Sequence, residues 1–216
     1  MKKASVKLFV PSDLALPYTV EERTTVQVPR EKYELEQQLK QASIPFVLIC
    51  IGNFTSFALD SPYMGIDLPN NRIVNTGRSE TNPVWLCSRD YVAAGFAAIF
   101  STSTPAQLAG RLIGLNELRP TTWEIEQAMY DHTGRKPEVA EESIENMTQQ
   151  AAQGRLDALV RKKMGDGTHH VGQDIWDVDG FPKRSLADFI NGSPLDKPPY
   201  APQSEGTLHF LDEYFE

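Results

Sequence analysis

Apolar positions near the start of the chain fall into three stretches with different spacing. Residues 6–10, VKLFV, are a short apolar run closed by Pro11, with Ser12 and Asp13 behind it. That is the pattern of a buried strand entering a loop. Residues 14–27 are irregular, with Pro17 and the polar EERTTVQ. Leu35, Leu39 and Ala42 then recur at i, i+4 and i+7. This spacing predicts an amphipathic helix over 29–42, with Pro29 at its first position and Glu31 in its positive first turn. Residues 44–52, IPFVLICIG, are almost wholly apolar, as a strand covered on both faces of a parallel sheet requires. Strand, helix and strand make one right-handed βαβ unit.

The pattern changes after Gly52. RIVNTG (72–77) and VWLCS (84–88) are short strand candidates, and AQLAGRLIGL (106–115) predicts another. Asp90 can cap a helix whose inner side is Val92, Phe96 and Ile99. A further helix starts at Thr121, which stands in capping-box spacing to Glu124, and stops at Gly134. Residues 143–164 read as helix broken near Gly154, preceded by PEVAEES. Glu138, Glu141, Glu142 and Glu145 read as a solvated face. Beyond 165 glycine, proline and aspartate thicken, and only 185–191 suggest another helix.

Composition narrows the function classes. The 216 residues are 40% hydrophobic and 23% charged, ordinary for a globular domain. A net charge of −8 argues against a nucleic-acid partner. The densest basic run, Arg161-Lys162-Lys163, reads as a solvated helix end. Two cysteines, Cys50 and Cys87, each in an apolar run, read as buried free thiols, not a disulfide framework or zinc site. His169-His170 lacks ligand spacing and reads as a solvated loop, so no metal is expected. No signal peptide and no 18-residue apolar span is evident, which points to a cytoplasmic protein without membrane contact.

Taken in order, VKLFVPSDLA, Lys32 opening the helix, SIPFVLICIGNF eleven residues later, SRDYVAAGFAAIF and TTWEIEQAMYDHTGRK resemble the NmrA-like and isoflavone-reductase-like family of atypical short-chain dehydrogenases. The resemblance implies an α/β fold: the C-terminal strands of an NAD(P)-binding Rossmann sheet with a smaller α+β substrate lobe. On it, residues 1–60 and about 84–118 belong to the Rossmann part, and about 61–83 and 119–216 to the lobe and tail. The implied cofactor is NADP or NAD, the implied activity reduction of a small, phenolic-type molecule. Some family members instead sense the nucleotide and bind a protein without turnover, and the missing first strands leave an inactive truncated fragment as a further alternative.

Spacing alone leaves Lys32 a surface lysine. The resemblance makes it the catalytic lysine, beside the nicotinamide ribose or acting in proton transfer. It likewise gives Pro11, Ser12, Lys32, Gly52, Asn53 and Phe54 as cofactor-binding residues. Ligands of open parallel sheets bind at the carboxyl ends of strands, so the loops at Ser12–Asp13 and Gly52–Phe54 are expected to share a cleft with Lys32. No Tyr-x-x-x-Lys pair is present. The family's first strands and glycine-rich turn would precede residue 5, and GDGTHHVG (165–172) has the wrong spacing to replace that turn. Weak NADPH binding by these residues alone follows. So does an unpaired edge at residues 6–10, open to a protein partner or a second copy.

Overall fold

The computed structural model describes residues 5–59, 62–192 and 211–215. The fold is α/β, built on short parallel strands. In chain order its elements are α1 (Glu22–Thr25), α2 (Gln27–Gln41), β1 (Leu48–Cys50), β2 (Asn53–Phe54), α3 (Thr55–Leu59), β3 (Ile66–Asp67), β4 (Arg72–Thr76), β5 (Leu86–Cys87), α4 (Arg89–Thr102), α5 (Pro105–Leu108), β6 (Leu112–Leu115), α6 (Thr122–Thr133), β7 (Glu138–Glu142), α7 (Ile144–Ala152), α8 (Leu156–Asp166), β8 (Ile175–Trp176) and α9 (Leu186–Ile190). Single 3-10 turns lie at Pro62–Met64 and Asp212–Tyr214.

The opening βαβ unit is present in altered form. The Phe9 N–H donates to the Pro45 carbonyl at 2.8 Å, and the Val47 N–H to the Phe9 carbonyl at 3.1 Å. This is a parallel bridge between Phe9 and Phe46. Residues 6–10 therefore run beside the second strand with α2 between them, as expected, but through one bridge and not a ladder. An edge this short offers little template to a partner strand. α2 begins at Gln27, so Pro29 is its third residue and not its first. Lys32 consequently sits in the second turn, beyond the first turn to which the helix-end field is confined. β1 pairs parallel with β6, and β6 with β8. The burial expected of residues 44–52 is complete at Val47, Ile49 and Ile51, which pack with Ile113, Leu115 and the Tyr91, Val92 and Ile99 face of α4.

A second sheet has the order β3-β4-β7. Its core joins Leu59, Met64, Ile66 and Ile73 to Ile125 and Met129 of α6 and Met164 of α8. Helix α6 has the expected ends: the Thr121 hydroxyl accepts from the Glu124 N–H, Glu124 returns a bond to the Thr121 N–H at 2.7 Å, and Gly134 closes the helix at φ +66°. Gly154, at φ +93°, separates α7 from α8.

Several local readings are corrected or completed by the structure. The cap of α4 is Ser88, not Asp90: its hydroxyl accepts from the Tyr91 N–H at 3.1 Å. Residues 106–115 split into the short helix α5, boxed by Thr104 and Gln107, and the strand β6. The acidic run keeps its expected exposure at Glu138, Glu141 and Glu145, and residues 138–142 are in addition a parallel strand against β4, in register from Arg72↔Glu138 to Thr76↔Glu142. β8, within residues 119–216, pairs parallel with β6 in the first sheet. Arg161 and Lys163, read as a solvated helix end, are buried on the inner face of α8, and His169 is buried too. No helix of the described residues is long and apolar enough to cross a membrane.

Candidate active site

Two loops meet at the carboxyl ends of the neighbouring parallel segments. After the Phe9 bridge the chain folds through two tight turns: the Asp13 N–H donates to the Pro11 carbonyl and the Ala15 N–H to the Asp13 carbonyl, each at 2.8 Å. The Ala15 carbonyl then accepts from the Ile51 and Gly52 N–H groups at 3.1 and 3.2 Å. One carbonyl thus ties the first loop to the end of β1. Helix α2 crosses behind and sends Lys32 forward. Its ammonium donates to the Ser12 carbonyl at 2.7 Å and lies 3.4 Å from Asp13 Oδ1. That second contact is an ion pair without hydrogen-bond geometry, since Asp13 Oδ1 has no hydrogen-bond partner. The Asp13 side chain is 9% exposed and that of Lys32 25%.

The interior behind this pair is charged as well as apolar. Burial, and then the Asp13 charge, push the Cys50 thiol up to about 12. The same two causes push the Tyr18 phenol above its ordinary range. Arg23 bonds both oxygens of buried Glu36 at 3.0 Å and donates to the Tyr18 carbonyl at 3.0 Å. Lys163 reaches from α8 to Glu22 at 3.0 Å. Asp13 was expected in the cleft loop but without a role, and Tyr18, Cys50 and Glu36 were not among the residues assigned to the site from sequence. Only Cys50, in its apolar run, carried a sequence sign of its burial.

The second loop is committed to the fold. Gly52 has φ +72°, and a Cβ there would lie 1.9 Å from the Trp85 carbonyl oxygen. Only glycine allows that approach. The Asn53 N–H donates to the same carbonyl at 3.0 Å. Buried His169 accepts from the Trp85 N–H through Nδ1 at 3.1 Å, so its Nε2 carries the proton and donates to Asn53 Oδ1 at 2.8 Å. Burial holds this imidazole neutral, its pKa lowered to about 3. Phe54 packs against the first core. The structure therefore brings Pro11, Ser12, Asp13 and Lys32 together and joins Gly52 to them through Ala15. It turns Asn53 toward His169 and Phe54 toward the core.

Whether these residues fit a dinucleotide can be tested on its two ends. The nicotinamide end would meet the two strand-end loops and a positioned ammonium, which it suits. The pyrophosphate end needs a glycine turn running into a helix start. The first 51 residues contain no glycine. Gly167 of GDGTHHVG caps the end of α8 at φ +79° and opens no helix. The phosphate side does not fit. Among the described residues no group of His, Cys, Asp and Glu could hold a metal ion.

Known structures resemble this arrangement as a whole. The leucoanthocyanidin reductase–NADPH complex from Vitis vinifera superposes with a TM-score of 0.65 at 14% identity, over 85% of this chain and 64% of that one. An isoflavone reductase gives a TM-score of 0.65 at 15% identity, over 88% and 66%. The chain has the fold of the isoflavone-reductase-like enzymes. A nucleoside-diphosphate-sugar epimerase from Staphylococcus aureus superposes less closely, with a TM-score of 0.55 at 11% identity, over 86% and 64%. The chain thus spans 64% and 66% of the length of the two reductases. No family model and no curated protein matches the sequence.

Proposed function

We propose that this chain works as an isoflavone-reductase-like NAD(P)H-dependent reductase of a small molecule, and that it holds the nicotinamide side of the site. The observation that carries the reading is Lys32, fixed by the Ser12 carbonyl and Asp13 at the end of a parallel segment. The fold shared with a reductase–NADPH complex supports it. In this reading the Lys32 ammonium donates a proton or hydrogen bond to a substrate oxygen, and the two turns at Pro11–Ala15 hold it in place. The pyrophosphate is held by sequence beyond these 216 residues or by a partner chain. The second reading, a regulator that senses the nucleotide without turnover, is favoured by the lack of a phosphate turn in these residues.

The test uses two substitutions, in the chain alone and in a form completed by a glycine-rich half. Lys32→Ala removes the only ion partner of buried Asp13 among the described residues, so it costs stability, about 1–3 kcal/mol. Lys32→Arg keeps the cation beside Asp13 but cannot give up a proton. Turnover is expected to fall roughly a hundredfold in Lys32→Arg, with little loss of stability. NADPH fluorescence titration should show weak binding by the chain alone. Equal turnover in Lys32→Arg and wild type would remove the acid role, and nucleotide binding without turnover would establish the regulator.

A further inference from the structure

Arg161 is among the largest fully buried side chains of the protein, at 1% exposure. Its guanidinium is only half committed. Nη1 donates to the Tyr214 hydroxyl at 3.2 Å, and that hydroxyl donates to Glu142 at 2.9 Å. The Tyr214 ring lies 5.1 Å from the guanidinium carbon. Nε and Nη2, the opposite edge, are buried and have no acceptor among the described residues.

That edge meets carboxylates in three other arginines of this protein, whereas Arg23 holds Glu36 through Nη1. Arg111 grips Asp174 through Nε and Nη2 at 2.9 Å each. Arg155 holds Asp157 through the same two atoms at 3.1 and 2.6 Å. Arg72 turns the same two atoms on a single oxygen, Oδ2 of Asp67, at 3.3 and 2.8 Å. Two parallel N–H donors match a carboxylate or a phosphate, and the groups met by this edge in Arg111, Arg155 and Arg72 are carboxylates. A buried guanidinium edge without an acceptor is costly, so a carboxylate that reached it would gain a strong, water-free contact.

The surroundings set the rest of the ligand. Gly65 places bare backbone beside the fork: a Cβ there would sit 3.6 Å from Arg161 Nε and 2.6 Å from the Val74 carbonyl. Met64, Ile66 and Ile73, from the same hairpin, are buried and apolar. On the outer side the cover is residues 211–215, held by Asp212 on Arg72 at 2.8 Å and by the Tyr214 hydroxyl. Fully buried Leu211 and the Phe215 ring, whose centre lies 5.0 Å from the Arg72 guanidinium carbon, fasten this segment as well.

We propose that Arg161 is the receptor for the carboxylate of a small apolar acid, bound in the second sheet's core beneath residues 211–215. This site uses neither Lys32 nor a nucleotide, so it stands or falls apart from the reductase reading. The probes are benzoate, its neutral counterpart benzamide, and inorganic phosphate, with thermal melts of wild type and Arg161→Met. Benzoate at about a hundred times its Kd should raise the wild-type Tm by roughly 5 °C or more. Benzamide and phosphate should not, and Arg161→Met should lose the benzoate response. Should Arg161→Met not fold, the Arg161 Nε–H NMR resonance of wild type decides, and it is expected to shift on adding benzoate. A benzoate response that survives in Arg161→Met overturns the proposal, as does a larger response to phosphate. An unmoved Tm together with an unmoved Nε–H resonance overturns it too.

Discussion

Acid should loosen the joint between β2, β5 and the loop after α8, and His169 is the reason. The imidazole is fully buried and neutral, with its pKa lowered from 6.5 to about 3 by burial. In the unfolded chain it titrates near 6.5. Between those two values the unfolded state binds the extra proton, so stability rises with pH there. The contribution is fully present above pH 6.5 and is lost as the pH falls toward 3. Each unit is about 1.36 kcal/mol, which sets a ceiling of about 5 kcal/mol and a loss of about 2 kcal/mol between pH 7.5 and pH 5. Carboxylates also titrate in acid, so the quantity to measure is a difference between proteins. His169→Asn keeps an acceptor for the Trp85 N–H but does not reach Asn53 and cannot titrate. It should be less stable at pH 7.5 by about 1–3 kcal/mol. Its pH slope should be shallower than wild type by the 2 kcal/mol above. Urea unfolding at pH 7.5, 6 and 5 gives both numbers. Parallel slopes for the two proteins would refute the reasoning, because they would mean that His169 is already hydrated or charged in the folded state.

Gly52→Ala should destabilise by about 3 kcal/mol or more, combining the positive-φ penalty with a clash against backbone. The nearest atom to the new Cβ would be the Trp85 carbonyl oxygen at 1.9 Å. A drop below about 1 kcal/mol in denaturant unfolding would show that this crossing can relax. Both thiols, Cys50 and Cys87, are buried and pushed up to about 12. At pH 8 neither should react with an aromatic disulfide reagent until denaturant is added. Rapid labelling of one thiol in the native protein would contradict its burial.

The elements that could be read from sequence were those with a repeating cause. The 44–52 run is apolar because both faces of β1 are covered. Helix α6 announces itself through the Thr121–Glu124 box and Gly134. The Thr104–Gln107 box at α5 was equally present, but its Gln107 fell in the 106–115 stretch read as a strand. β7 gave no such signal: Glu-Val-Ala-Glu-Glu has no buried alternation, and only the paired edge of β4 makes it a strand. Arg161, Lys163 and His169 were misread for a common reason. Polar type predicts exposure, and burial of a polar group depends on a partner supplied from elsewhere in the fold. Glu22 lies 141 positions from Lys163, and Asn53 lies 116 from His169. No local window contains such pairs.

The same point decides which substitutions can report on function. Of the residues that the resemblance assigns to the cofactor, three have structural tasks that would mask any other. Gly52 makes room for the Trp85 carbonyl, Asn53 anchors His169, and Phe54 fills the first core. Changing any of them would weaken the β2–β5 joint, and lost activity would then say nothing about nucleotide contact. Lys32 is different. Its stem and charge are held by Ser12 and Asp13, while a quarter of the side chain stays open to solvent. It is the one assigned side chain whose ionisable group faces outward from a fixed position. An arginine there preserves the pairing and removes only the transferable proton. The reductase reading therefore rests on an experiment at one position, and the fold has already fixed what that experiment must hold constant.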